Sequence, residues 1–325
     1  MSDLGHVLVL AGGVSFEREV SLSSGRRVAD ALTSLGVEVE LVDVDAHLLP
    51  RLVNDPPAAV FVAVHGIEGE DGALRDALDL SGVPYVGATG SAARLAFDKA
   101  VAKAVVARAG LRTPASVALQ HAAFRDLGGA VLLDRVVERL GLPLVVKPAR
   151  GGSALGVSVV RDVKDLPQAM VVCYSYDSVA LLERHVSGTE LAISVIDDGV
   201  TGPVALPAVE IEALSGTFDY AARYTAGMTE YHVPARLDEA LAKAAADVAV
   251  TAHRALGLRD LSRTDVIVTA RGEIEYLETN VSPGMTATSL LPLAAACVDL
   301  DLGTLCRDLL QQAAVRGRST PGAPA

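Results

Sequence analysis

The chain contains no tryptophan, and phenylalanine and tyrosine make up only 4% of its 325 residues. Half of the residues are hydrophobic, so the interior must be largely aliphatic, built on Ala, Val and Leu; the chain reads as globular, not disordered. Positive charge is also scarce: 28 Lys and Arg face 40 Asp and Glu, for a net charge of −12. That balance excludes a broad nucleic-acid or membrane-surface footprint. Three cysteines, Cys173, Cys297 and Cys306, cannot form an even disulfide framework. Each has apolar neighbours and is read as a reduced core residue in a reducing compartment. No run of about 20 apolar residues escapes interruption by Gly, Pro or charge, so no membrane span is expected. The opening Met1-Ser-Asp-Leu-Gly-His6 lacks the basic-then-apolar pattern of a signal peptide. A cytoplasmic location follows by elimination. No internal repeat is visible. The length is enough for two or three domains with large cores.

What is present is an alternation of strand and helix signals. His6 to Leu10 is an apolar run entering Gly12-Gly13, as a buried parallel strand enters a glycine turn. A helix over Val20 to Leu35 and strands at Val37 to Val44, Ala58 to Val64 and Val83 to Tyr85 complete a small doubly wound domain. Asp98 is placed to cap a helix that runs through Arg108 to Gly110. Leu144 to Lys147 and Val157 to Val160 read as strands joined by the glycine-rich loop Arg150 to Gly156. Val179 to Glu183 and Glu190 to Ile196 are further strands. Ser215 to Ala235 is irregular and long enough to be a functional lid. Leu241, Ala245, Val248, Ala252 and Ala255 have helical spacing, ending at Gly257. Leu290 to Cys306 reads as helix, and Arg316 to Ala325 as a disordered tail.

The densest chemistry lies near the C-terminus. Asp265 to Ala270 and Glu273 to Glu278 read as two strands turning at Arg271-Gly272. A tight turn there sets Asp265 opposite Glu278 and Arg263 opposite Asn280. Opposed residues have Cβ atoms roughly 4.5–5.5 Å apart, and like charges there are destabilising. Two facing carboxylates need a cation, and with the Asn280 amide oxygen they form a hard, all-oxygen set suited to Mg²⁺. The alternative is a solvated hairpin with scattered acids.

Other motifs are individually weaker. Lys99, Lys147 and Arg223 lie on or beside segments flanked by glycine-rich loops, as phosphate sites require. The pattern is neither a Walker loop nor a dinucleotide fingerprint. Glu183-Arg184-His185-Val186 and Glu190 end and begin strands where backbone can read an adenine edge and carboxylates can hold ribose; an edge strand with solvated charges is the alternative. Ser15 fits a helix N-cap, with Glu17 and Glu19 complementing the helix end. Glu17 also lies at a strand C-terminus, where doubly wound sheets bind ligands and a carboxylate could hold an ammonium. His65, ahead of Glu68-Gly69-Glu70-Asp71-Gly72, ends another strand on the same rim.

Taken in order, these motifs resemble the D-alanine–D-alanine ligases. The resemblance is carried by Gly12-Gly13-Val-Ser15-Phe-Glu17-Arg18-Glu19-Val20-Ser21-Leu22, Val64-His65-Gly66 with Gly69-Glu70-Asp71-Gly72, Asp98-Lys99, and Lys147-Pro-Ala-Arg-Gly-Gly-Ser153. It closes with Glu278-x-Asn280-x-x-Pro283-Gly284-Met285-Thr-x-x-Ser289-Leu290 and spans His6 to Leu310, nearly the whole chain. It implies a Rossmann-like N-terminal domain (residues 1–97) followed by a two-subdomain ATP-grasp fold (98–183 and 184–315), with 316–325 as the tail. It implies two Mg²⁺ ions, with Mn²⁺ as a substitute, on Asp265, Glu278 and Asn280. Lys99, Lys147, Ser153 and Arg223 would meet ATP phosphates; Glu183, Arg184, Val186 and Glu190 would hold adenosine. Glu17 and His65 would serve the first D-alanine, Ser289 and Leu290 the carboxylate of the second. Arg263 and the Gly284 N–H would form an oxyanion site, and Glu17, Ser153 and Tyr224 a hydrogen-bonded triad closing the lid. The implied activity is ligation of two D-alanine molecules through an acyl phosphate, for peptidoglycan precursor synthesis, by a cytoplasmic homodimer.

The chain departs from the family pattern in the lid, Phe218-Asp219-Tyr220-Ala221-Ala222-Arg223-Tyr224, which is one residue shorter than usual, with Arg223 where Lys is common. Gly151 and Ala154 also replace commoner residues. These changes motivate a second reading, a ligase or cyclase for another D-amino acid in a specialised or resistance pathway. A third reading, a non-catalytic nucleotide binder, has no need for both metal carboxylates. Tyr224 favours a dipeptide over a depsipeptide product.

Overall fold

The computed structural model describes residues 4–213 and 227–319. The lid sequence around Arg223 and Tyr224 lies outside the described residues. Three sheets are laid out in chain order. The first alternates β1 (Val7–Ala11), α1 (Arg18–Ser34), β2 (Val39–Asp43), α2 (Leu48–Asn54), β3 (Ala59–Val62), α3 (Ile67–Glu70), α4 (Ala73–Leu80) and β4 (Tyr85–Val86). Its order is β2-β1-β3-β4, all parallel, with Val7 beside Val39 and Ala59. β1 and β3 are buried on both faces, which is why they read as unbroken apolar runs. α1 comes close enough to β1 that a Cβ on Gly25 would sit 2.5 Å from the Ala11 Cβ. Only glycine permits that approach.

Next come α5 (Gly90–Phe97), α6 (Lys99–Arg108), β5 (Ser116–Gln120), α7 (His121–Asp126), α8 (Gly129–Leu140), β6 (Leu144–Pro148), β7 (Ser158–Val160), α9 (Leu166–Tyr174) and β8 (Val179–Arg184). Asp98 caps α6, accepting hydrogen bonds from the Ala100 and Val101 N–H groups, as its spacing predicts. The sheet order is β5-β8-β6-β7, antiparallel, closed by a core of Leu133, Val136, Leu144, Met170 and Leu182. β8 runs one residue past the expected limit at 183, through Arg184.

The third sheet holds β9 (Thr189–Asp197), β10 (Pro203–Ala205), β11 (Val209–Ala213), β12 (Thr229–His232), β13 (Leu261–Val268) and β14 (Ile274–Asn280), in the order β12-β11-β9-β13-β14 with β10 also on β9. α10 (Glu239–Ala255) covers it. The segment expected to be irregular through Ala235 contains β12, because the Glu210–Ala213 backbone offers it an antiparallel partner.

Three further expectations are corrected here. Leu290 to Cys306 is not one helix: α11 (Leu290–Ala296) and α12 (Leu302–Ser319) are separated at Asp299, which adopts a positive φ of 56°. Cys297 closes α11 and is exposed, unlike Cys173 and Cys306, because the break turns its side chain outward. The tail does not begin at Arg316. α12 packs Leu305, Leu309, Leu310 and Ala313 back onto the first sheet, and Arg316 clasps the fully buried Asp260 at 2.6 and 2.7 Å. The C-terminal helix thus locks the third sheet's chain onto the N-terminal domain. No helix among the described residues is long and apolar enough to cross a membrane.

Candidate active site

The β13–β14 hairpin sets Asp265 opposite Glu278 and Arg263 opposite Asn280, the register read from sequence. The route differs. The Gly272 N–H donates to the Thr269 carbonyl with Gly272 at φ +74°, and Thr269 N–H bonds Glu273, so the loop has three residues, not two. A bulge between Asp265 and Val266 then restores the pairing. The solvated-hairpin alternative fails, since Asp265 is only 4% exposed. Both carboxylates hold a cation from the chain itself. Arg263 grips Asp265 through Nε at 2.7 Å and Nη2 at 2.8 Å, and Lys99 Nζ lies 3.1 Å from Glu278 Oε2. The Asn280 Oδ1 accepts from the Ser282 N–H at 2.7 Å and keeps a second lone pair. Two carboxylates and an amide oxygen are the hard oxygen donors that Mg²⁺ takes, and each carboxylate is paired with one side-chain cation. A separate group, Glu210, Glu212 and His232, also brings ligand atoms together, but Arg236 sits among them, 2.7 Å from Glu212 Oε2.

At the N-terminal rim, α1 begins at Arg18 with Glu17 in the cap position, and Ser15 does not cap it. The Ser15 hydroxyl instead donates to the His65 carbonyl and accepts from the Glu17 N–H. The Glu17 carboxylate receives the Ser153 hydroxyl across the cleft. A Cβ on Gly152 would come within 2.9 Å of Glu17 Oε2, so the loop's glycine is needed for this approach. Ser153 itself has a positive φ of 53°. Glu70 is buried behind Glu17 and accepts from the Gly66 N–H. Burial, then the Glu17 charge, push its carboxyl up to about 8.

His65 is engaged by the protein at both ring nitrogens. Nδ1 lies 3.0 Å from the Ser282 carbonyl, which can only accept, so Nδ1 carries the proton. Nε2 then accepts from the Ser24 hydroxyl at 2.9 Å, and that hydroxyl receives the Met285 N–H. Burial lowers the imidazole pKa to about 4, keeping it neutral. His65 thus pins the segment carrying Gly284 instead of presenting a nitrogen to the cavity. A Cβ on Gly284 would lie 2.6 Å from the Ser289 Oγ. The Ser289 hydroxyl receives the Thr286 N–H, and Leu290 follows as the first residue of α11. Glu17, Ser153, Arg263, Gly284, Ser289 and Leu290 line one cavity.

A second cavity is a slot between the second and third sheets, walled by Val145, Val159, Ile267 and Leu277. Lys147, Glu183, Arg184, Val186 and Glu190 face it. The Arg184 N–H is taken up by the Ala115 carbonyl. Glu183 is not an open ribose acceptor: it is 2% exposed, and its two oxygens hold Lys147 and Lys103 at 2.5 Å each. Lys103 was not singled out from sequence, and Glu70 was read only as part of the motif Gly69-Glu70-Asp71-Gly72, with no role of its own; Lys103 stands one turn beyond Lys99 on α6, a spacing that would have shown their common face. The two cavities meet at Lys99, Gly151, Gly152 and Glu278, which line both. Lys99 Nζ also donates to the Gly151 carbonyl at 2.6 Å.

Residues 105–311 match the protein-family model described as D-ala D-ala ligase C-terminus. A D-alanine–D-alanine ligase of Bordetella petrii is 40% identical over 316 residues, 97% of this chain and 94% of that one. The solved structure of a D-alanine–D-alanine ligase from Bacillus anthracis complexed with ATP superposes with a TM-score of 0.80 at 25% identity, covering 97% of this chain and 99% of that one. The VanG D-Ala:D-Ser ligase from Enterococcus faecalis has the same TM-score, 0.80, at 26% identity, covering 95% and 99%.

Proposed function

The chain belongs to the D-alanine–D-alanine ligase family, and on that footing we propose that it joins two D-alanine molecules into D-alanyl-D-alanine, converting ATP to ADP and phosphate through an acyl phosphate. The observation that carries this reading is the junction of the two cavities at Lys99 and Glu278. A nucleotide lying in the slot would bring its terminal phosphate to that junction, beside the cavity lined by Glu17, Ser153 and Arg263. Phosphoryl acceptor and donor would then lie side by side, which is what direct transfer requires.

The geometry supports one set of roles. Glu17, steadied by Ser153, holds the ammonium of the first D-alanine so that its carboxylate points to the junction. That carboxylate attacks the γ-phosphorus, giving D-alanyl phosphate and ADP. Lys99 and Lys147 balance phosphate charge in this step. Mg²⁺ held by Asp265, Glu278 and Asn280 would neutralise charge on the transferring phosphoryl group. The amine of the second D-alanine, as free base, attacks the acyl carbon with its carboxylate near Ser289 and Leu290. Arg263 and the Gly284 N–H stabilise the tetrahedral oxyanion. Collapse forms the amide and releases phosphate. Glu70, protonated beside Glu17, keeps the ammonium site from carrying two uncompensated charges.

We assign residues 1–97 to the N-terminal domain, 98–183 and 184–315 to the two ATP-grasp subdomains, and the product to peptidoglycan precursor synthesis in the cytoplasm, with the chain acting as a homodimer. A panel of D- and L-amino acids, scored for ADP and for dipeptide by mass, tests the reading. D-alanine should be the best substrate at both positions; far faster turnover with another amino acid overturns it.

A further inference from the structure

Lys147 lines the slot, yet its ammonium is not free to act alone. Its Nζ lies 2.5 Å from Glu183 Oε1, and Glu183 Oε2 lies 2.5 Å from Lys103 Nζ. The three side chains are buried, with exposures of 9%, 3% and 4% for Lys147, Glu183 and Lys103. Lys147 and Glu183 face the slot; Lys103 lies behind Glu183 and lines neither cavity. Among the described residues, the slot is lined by the carboxylates of Glu183, Glu190, Asp265 and Glu278 and by the cations Lys99, Lys147 and Arg184. Lys99 is paired to Glu278. An anionic ligand therefore meets a wall whose charges are mostly cancelled.

A lone Lys147–Glu183 pair is neutral and offers a phosphate little attraction at a distance. With Lys103 the group of two lysines and one carboxylate carries a net positive charge. Burial lowers the Lys103 pKa, opposed by Glu183 and by Glu275. Burial likewise works against ionised Glu183, but the two lysines outweigh it and hold the carboxyl below its ordinary range. An ion pair in such a place is maintained only by good geometry, and removing one member leaves an uncompensated buried charge.

We infer that Lys103 is a positioning residue for nucleotide binding: by sharing Glu183 it leaves the charge of Lys147 uncancelled toward the phosphates. The inference rests on the assignment of ATP to the slot. It also separates Lys103 from Lys99, one turn earlier on α6, which reaches the junction directly.

The test is direct binding of Mg·ADP and of adenosine by calorimetry, which needs neither D-alanine nor turnover. Lys103→Met should weaken ADP about tenfold or more while changing adenosine less than about threefold. The double variant Lys103→Met/Glu183→Gln removes the carboxylate that lies 2.5 Å from Lys147, and ADP affinity should return to within about threefold of wild type. Equal losses for ADP and adenosine, unchanged ADP binding in the single variant, or a double variant as weak as the single one overturns the inference. If Lys103→Met does not fold, the double variant decides: near-wild-type ADP binding supports the inference and a loss of about tenfold overturns it. A wild-type protein that binds ADP but forms no dipeptide contradicts the ligase reading and leaves this one standing.

Discussion

Arg263 and Asp265, two residues apart on one face of β13, hold each other through paired hydrogen bonds of 2.7 and 2.8 Å. Both side chains are buried, so the guanidinium is aimed before any substrate arrives. Lysine keeps the charge but not the planar fork. Arg263→Lys should lower kcat by about 10²-fold, the scale of one lost oxyanion donor, with the fold retained. Steady-state ADP release measures it, and a kcat close to wild type contradicts the oxyanion assignment.

Glu278 faces Asp265 and carries Lys99 on its outer oxygen. Glu278→Gln removes one of the two carboxylates proposed to hold the metal while preserving size. Phosphate release should fall by at least about 10³-fold, reflecting several kcal/mol of lost charge stabilisation. Circular dichroism should show the protein folded. Retained activity would sink the metal assignment.

The Ser153 hydroxyl reaches Glu17 from the facing domain. Ser153→Ala removes a hydrogen bond to a charged group, which corresponds to about 10–100-fold. The loss should appear in kcat/KM for D-alanine, with ADP affinity unchanged. Loss of ADP affinity instead would place Ser153 with the nucleotide, as the phosphate assignment from sequence had it.

His65 gives a pH signature. Its folded pKa, lowered by burial to about 4, lies below the unfolded value near 6.5. The unfolded state thus binds the proton more readily. The stability this group contributes is full above pH 6.5 and drains away as pH falls toward 4, by roughly 2–3 kcal/mol at pH 4.5. Denaturant unfolding at pH 7 and pH 4.5 should show a smaller acid loss in His65→Gln than in wild type. Equal losses contradict the buried neutral imidazole.

Much of this arrangement was legible because local signals sufficed. Buried parallel strands announce themselves as apolar runs, and the Asp265–Glu278 pairing followed from symmetry about a turn. Even there, two departures offset each other: a loop one residue longer and a bulge beside Asp265. What sequence could not supply was long-range charge pairing. Glu183 reads as an open carboxylate at a strand end, and only folding brings Lys103, 80 residues earlier, onto it. His65 reads as a ligand until Ser24 and Ser282 are seen on its two nitrogens. Arg316 reads as tail until the buried Asp260 claims it.

In the proposed mechanism the D-alanine carboxylate itself attacks ATP and a second D-alanine takes the acyl group. Turnover of D-alanine labelled with ¹⁸O in both carboxylate oxygens tests this in one experiment. One labelled oxygen should pass into the released phosphate while D-alanyl-D-alanine accumulates in equal amount. Unlabelled phosphate, or phosphate without dipeptide, would contradict the account.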